Sequence, residues 1–117
     1  MKAFGRTLLL QDDPAKIEAY KRHHQAVWPE VLDALRQSGV TGMEIYLIGR
    51  RMFMYMTTKA DYDPAGAGAQ YLSHPRVQEW EALMHTLQER APEAGPDEWW
   101  AEMDLVFDLD WPQHRSA

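Results

Sequence analysis

The chain has 117 residues with 45% hydrophobic and 26% charged side chains and no cysteine, which fits one compact domain and excludes thiol nucleophiles, thiolate metal sites and a disulfide framework. Eighteen Asp and Glu against twelve Lys and Arg give a formal charge of −6, which argues against a nucleic-acid partner. No apolar run reaches membrane-spanning length and no signal-peptide pattern opens the chain, so a cytoplasmic location without membrane contact is the expectation.

Residues 3–11 read as a first strand that ends at the turn-forming pair Asp12-Asp13. Asp13-Pro14 then starts a helix, because an Asp N-cap accepts from a free backbone N–H and Pro at the first helical position loses nothing by lacking its own. Steps of three and four place Ile17, Tyr20, His24 and Trp28 on one face. Pro29 disfavours helical geometry at Trp28, which predicts a kink or break there, then a second helical piece with Val31, Leu32 and Leu35 inward, ending at Ser38-Gly39.

Residues 41–48 and 51–58 predict a hairpin around Gly49-Arg50. In its second strand Phe53, Tyr55 and Thr57 alternate with Met52, Met54 and Met56, so both faces need a cover. Residues 60–70, rich in Asp, Gly, Ala and Pro, suit a loop or a weak helix. From Pro75 to Gln88, Val77, Trp80, Leu83, Met84 and Leu87 repeat at helical spacing. Residues 91–97 cannot continue that helix, and alternation from Trp99 to Phe107 predicts a last strand over 98–109. The domain is expected to span 1–110, with 111–117 a loose C-terminal tail whose Trp111-Pro112 packs on a neighbour at most.

The resulting order, β-α-β-β-α-β, is the ferredoxin-like arrangement of an α+β protein, with helices covering one face of a four-stranded antiparallel sheet. The apolar outer face of so small a sheet is most simply covered by a second copy, which predicts a homodimer.

Chemistry is sought first at the histidines, because imidazole gives and takes protons near neutral pH. His24 lies four residues after Tyr20 and four before Trp28, a line of phenol, imidazole and indole on an inward helical face. Spacing alone favours a packed core histidine there. His23 is expected to point away into solvent. No His-x-x-x-His or Glu-x-x-His pair asks for a metal, no phosphate-loop pattern supports a nucleotide cofactor, and the methionines of 52–56 read as packing. Glu44 sits among apolar neighbours on the first hairpin strand, which suits either a purposeful burial or an exposed strand face.

The segments Tyr20-Lys-Arg-His-His24, Trp28-Pro-Glu30, Glu44-Ile-Tyr-Leu47, His74-Pro, Trp80 and Met103-Asp-Leu-Val-Phe107 resemble the L-rhamnose mutarotase family over most of the chain. The resemblance implies a dimeric α/β barrel that exchanges the α and β anomers of a free 6-deoxyhexose without a cofactor. By position, His24 matches the family's proton donor and Tyr20 a sugar-contacting tyrosine. Two positions depart from the rhamnose pattern: Met43 stands in place of a tyrosine, and Trp80-Glu81 in place of a Trp-Trp pair. Both resemble the branch of the family associated with L-fucose, whose hydroxyl configuration differs from that of L-rhamnose.

The expected substrate is therefore a monosaccharide, L-fucose ahead of L-rhamnose, with His24 as acid at the ring oxygen and base on return. Tyr20 orients the sugar or shares the relay. Trp80, with Trp28 or Trp100, offers an apolar face to the deoxy sugar. Glu44, Glu81 or a water is the second proton carrier. The alternatives are a cofactor-independent monooxygenase on the same fold and a sugar-binding module without catalysis.

Overall fold

The computed structural model describes residues 1–114. Strand β1 (Lys2–Leu10) lies at the centre of an antiparallel sheet and pairs along its whole length with β3 (Arg51–Thr58), from Lys2 opposite Thr58 to Leu9 opposite Arg51. β3 in turn pairs with β2 (Val40–Ile48) through a two-residue turn in which Gly49 adopts φ 59°, a conformation that suits glycine. β2 carries a bulge between Val40 and Gly42, and a Cβ at Gly42 would sit 2.8 Å from Thr57 Oγ1. The other edge of β1 is shared by two short strands, β4 (Gln88–Glu89) opposite Leu9 and Leu10, and β5 (Ala101–Met103) opposite Gly5 to Thr7. The spatial order β2-β3-β1-β4 is that of the ferredoxin-like fold.

Each helical connection is divided in two. α1 (Pro14–Gln25) and α2 (Pro29–Gln37) connect β1 to β2, and α3 (Pro64–Leu72) and α4 (Pro75–His85) connect β3 to β4. All four begin with proline at the first helical position, and Asp13, Asp63 and His74 cap α1, α3 and α4 by accepting from the backbone N–H of Ala15, Gly66 and Arg76. The expected break at Trp28-Pro29 is present: Trp28 takes an extended ψ of 135° and α2 starts anew behind it.

Residues 60–70, weighed as loop or weak helix, hold most of the capped helix α3. Two segments differ from the sequence reading. The helix expected to reach Gln88 stops at His85, where the Thr86 hydroxyl donates to the Leu83 carbonyl at 2.6 Å, and Gln88 becomes part of the sheet. The long last strand shrinks to Ala101–Met103: Gln88–Glu89 already occupies the β1 edge at Leu9 and Leu10, and after Met103 the chain leaves that edge. Beyond β5, Leu105, Val106, Phe107 and Leu109 are exposed, then Pro112–His114 form a 3₁₀ turn with Phe107 and Trp111 near His114. The rest of the expected tail, 115–117, lies outside the described residues.

The core forms between helices and sheet. Met52, Met54 and Met56 face the helices and are buried, while Phe53 and Tyr55, one residue out of phase, are 39% and 41% exposed on the opposite face. Leu8, Leu10, Val31, Val77 and Met84 complete the apolar centre. Among the described residues no helix is long and apolar enough to cross a membrane.

Candidate active site

A cavity of about 600 Å³ opens between the helical layer and the inner face of the sheet, a volume suited to a small molecule. Its floor is methionine and isoleucine from β2 and β3 (Met43, Ile45, Met54, Met56), and its helical wall brings Tyr20 and His24 from α1, Tyr71 from α3, and Trp80 and Glu81 from α4. The break after α1 gives α1 and α2 separate inward faces, so Tyr20 and His24 meet the cavity alongside Val31 and Leu35 of α2.

His24 is the centre of an aromatic cluster. Its ring stacks on Tyr20 with centroids 4.1 Å apart, and meets Trp80 edge to face at 5.4 Å. Nδ1 lies 2.9 Å from the Tyr20 backbone oxygen. A carbonyl only accepts, so Nδ1 carries the proton and Nε2 is left with a lone pair in the neutral ring. Burial pushes the imidazole below its ordinary value, opposed by the Tyr20 carbonyl and reinforced by neighbouring His23. The arrangement holds a neutral histidine ready to accept a proton. His23, expected in solvent, is half-buried instead and meets Trp80 edge-on at 6.3 Å.

Tyr20 is buried, and burial drives its phenol above the usual range, with a smaller upward push from the Glu81 charge and an opposing hydrogen bond from Gln88. The Gln88 amide is oriented by Trp99, whose indole Nε1 donates to Gln88 Oε1 at 2.9 Å. An indole N–H cannot accept, so the amide nitrogen of Gln88 is the end that serves Tyr20. Gln88, Tyr71 and Arg6 also line the cavity and were not singled out by sequence reasoning. The signal for Gln88 was its polarity at the end of an apolar helical stripe.

Trp28 and Glu44 are placed elsewhere. Trp28 follows the end of α1, so the four-residue step from His24 no longer applies, and its ring packs against Trp80 at 5.2 Å under the Arg76 guanidinium. It buttresses Trp80 and does not line the cavity. Glu44 is exposed on the outer face of β2, where it accepts from Tyr46 Oη. Two-residue alternation puts Met43 and Ile45 inward and Glu44 out, so the sugar-contact and proton-carrier roles weighed for Glu44 have no place in this cavity. Trp100 does line it. Among the described residues no group of three His, Asp or Glu is arranged to hold a metal ion.

Fold and cavity together define an α+β protein with an aromatic small-molecule pocket and one imidazole able to move a proton. The comparisons with known proteins make the class specific, for the chain belongs to the L-rhamnose mutarotase family, whose model matches residues 4–109. It is 44% identical to an L-fucose mutarotase from Xanthomonas campestris pv. campestris over 93% of this chain and 89% of that one. It is 30% identical to an L-rhamnose mutarotase from Rhizobium johnstonii over 88% and 92% of the two chains. A crystal structure of an L-rhamnose mutarotase from Formosa agariphila superimposes with a TM-score of 0.69 at 19% identity, covering 94% of this chain and 100% of that one, which shows the shared fold. Mutarotases are isomerases, and the family leaves the monooxygenase alternative without support.

Proposed function

We propose that this protein interconverts the α and β anomers of a free 6-deoxyhexose, with L-fucose preferred over L-rhamnose. The observation that carries the reading is the half-buried His24, whose Nδ1 is tied to the Tyr20 carbonyl and whose imidazole burial pushes below its ordinary value. Mutarotation moves one proton off the anomeric hydroxyl and one onto the ring oxygen while the bond between the anomeric carbon and that oxygen breaks. His24 accepts the first through Nε2 and, as imidazolium, supplies the second. The open aldehyde then turns about its bond to the next carbon and closes on the other face as the transfers reverse. Both oxygens sit on the same carbon, so one imidazole serves both, a role typically worth about a hundredfold to ten-thousandfold. Tyr20 orients the sugar, and Trp80 with Trp100 presents apolar surface to its C–H face and methyl group.

A free sugar fits better than a phosphorylated one. Arg6 is the Lys or Arg side chain among those lining the cavity, and it is engaged by Glu102 at 3.1 Å. The L-fucose preference rests on the higher identity to the L-fucose mutarotase and on Glu81, a carboxylate at the cavity wall.

The functional unit is a cytoplasmic homodimer of one domain spanning 1–110. Support for the dimer is the outer sheet face, where Tyr46, Phe53, Tyr55 and Met103 are exposed and all but Tyr55 line a shallow apolar hollow. Saturation-transfer proton NMR on equilibrated L-fucose and L-rhamnose tests the reaction. Exchange faster than in buffer supports it, and unchanged exchange for both sugars removes it. Binding without faster exchange would instead favour the sugar-binding module.

A further inference from the structure

Glu81 is the acidic side chain among those lining the cavity, and no ion pair among the described residues includes it. Half-burying a carboxylate in a wall of Leu, Met and Trp without a cation is unfavourable unless hydrogen-bond donors compensate. One donor is present: Tyr71 Oη donates to Glu81 Oε1 at 2.9 Å, tying α3 to α4. That bond uses the phenol's single proton. A carboxylate only accepts, so the pair as a whole offers lone pairs and no donor. Burial and the Glu81 charge both push the Tyr71 phenol above its usual range, which keeps the tyrosine protonated and bound to Glu81.

Building on the mutarotase reading above, we propose that Glu81, held in place by Tyr71, is the specificity-determining group of the cavity. Its carboxylate accepts hydrogen bonds from sugar hydroxyls away from the anomeric carbon and so sets which deoxyhexose is bound. A surface made only of acceptors recognises a hydroxyl by its proton. Fluorine, an ether or a missing oxygen at the same place cannot satisfy it, and a buried acceptor left without a donor penalises the wrong ligand more than a lost contact would. Sugars that differ in hydroxyl configuration are distinguished by whether a proton reaches Glu81. The pair is separate from His24, which lies on α1, so recognition and proton transfer respond to different substitutions.

The experiment compares the wild type with Glu81→Gln and Tyr71→Phe. Gln keeps the volume and still accepts from Tyr71, but replaces one acceptor by a donor. Dissociation constants by ligand-observed NMR are measured for L-fucose, L-rhamnose and L-fucose analogues in which one ring hydroxyl at a time is replaced by fluorine. Anomeric exchange is measured in parallel, with thermal melting as a check on folding. The expected result is that E81Q weakens L-fucose binding by about tenfold to a hundredfold. It should raise KM with kcat kept within a few fold, and narrow the gap between the two sugars. The wild type should reject one fluorinated analogue that E81Q tolerates, and Y71F should show the same pattern more weakly.

Equal binding of every ligand by wild type and E81Q overturns the proposal and leaves the pair a tie between helices. A loss confined to kcat also overturns it, since Glu81 would then act in proton transfer. A wild type that binds neither sugar overturns it as well. A wild type that binds hydroxyls through Glu81 yet accelerates no exchange sinks the mutarotase reading alone.

Discussion

Tyr20 and Tyr71 both line the cavity, and burial holds both phenols above the usual range, yet they differ in what stands beside them. Tyr20 stacks on an imidazole and receives a hydrogen bond from a neutral amide, so its surroundings favour an uncharged His24. Tyr71 donates to a carboxylate and helps keep that charge in an apolar wall. Proton transfer needs a group whose two protonation states are close in free energy, whereas recognition needs one fixed acceptor. The contrast matches the proposed division, chemistry with the α1 pair and selection with the pair linking α3 and α4.

The strongest way to break this division is His24→Asn, which keeps a polar group of similar size but cannot shuttle a proton. Its anomeric exchange should fall by about a hundredfold or more, with sugar binding largely kept. A comparable loss of binding would mean that His24 holds the substrate instead of acting on it. Gln88→Leu comes next, since it leaves the half-buried Trp99 N–H without its acceptor and Tyr20 without its donor. Destabilisation of about 1–3 kcal/mol is expected in denaturant titration, together with slower exchange. Stability and rate both unchanged would remove Gln88 as the group that positions Tyr20.

Two pH dependences sharpen the comparison. His24 is pushed below the ordinary imidazole value near 6.5, so it stays neutral and competent as a base to lower pH. The acid limb of kcat should therefore fall below that value, and a limb at or above it would contradict the burial of the ring. The tyrosines act at the other end. Their folded-state values lie above the unfolded value near 10, so the stability they contribute is present below that pH and is lost as pH rises through the folded values. Melting temperature should decline above about pH 10, less steeply in Tyr71→Phe.

The parts of the fold legible in the sequence were those governed by neighbours along the chain. Asp13-Pro14, the break at Trp28-Pro29 and the Gly49-Arg50 turn are local signals, and each appears where the residues place it. Asp63-Pro64 repeats the start signal of α1 and caps α3 in the same way, but Gly66 and Gly68 just after it obscured the helix. The end of the sheet depends on which segment reaches the β1 edge first, a competition between Gln88 and Ala101 that alternation does not register. The candidate site was legible in part: the four-residue step on α1 brings Tyr20 and His24 together, while Trp80, read only as part of the apolar stripe of its own helix, meets them from α4. Trp28 and Glu44 failed as cavity residues for two reasons, a helix ending early and a strand phase fixed by its partner. Tyr71 was missed because its helix was weighed as a possible loop.

The two faces of β3 place a second demand on the molecule. Met54 and Met56 contribute to the cavity floor while Phe53 and Tyr55 look outward from the same strand. Phe53→Glu should leave the inner face intact and shift sedimentation toward the monomer, and a monomeric wild type would remove the dimer from the proposal.

The edge-on contact between His24 and Trp80 has an optical consequence. Imidazolium quenches an adjacent indole more strongly than neutral imidazole does, so Trp80 emission reports the charge on His24 directly. A fluorescence titration of the ligand-free protein, with His24→Asn subtracting the other four tryptophans, reads the protonation of the proposed acid–base group with no sugar present. Adding sugar then shows, as a displacement of that curve, how far a bound hydroxyl alters the imidazole before any bond is broken.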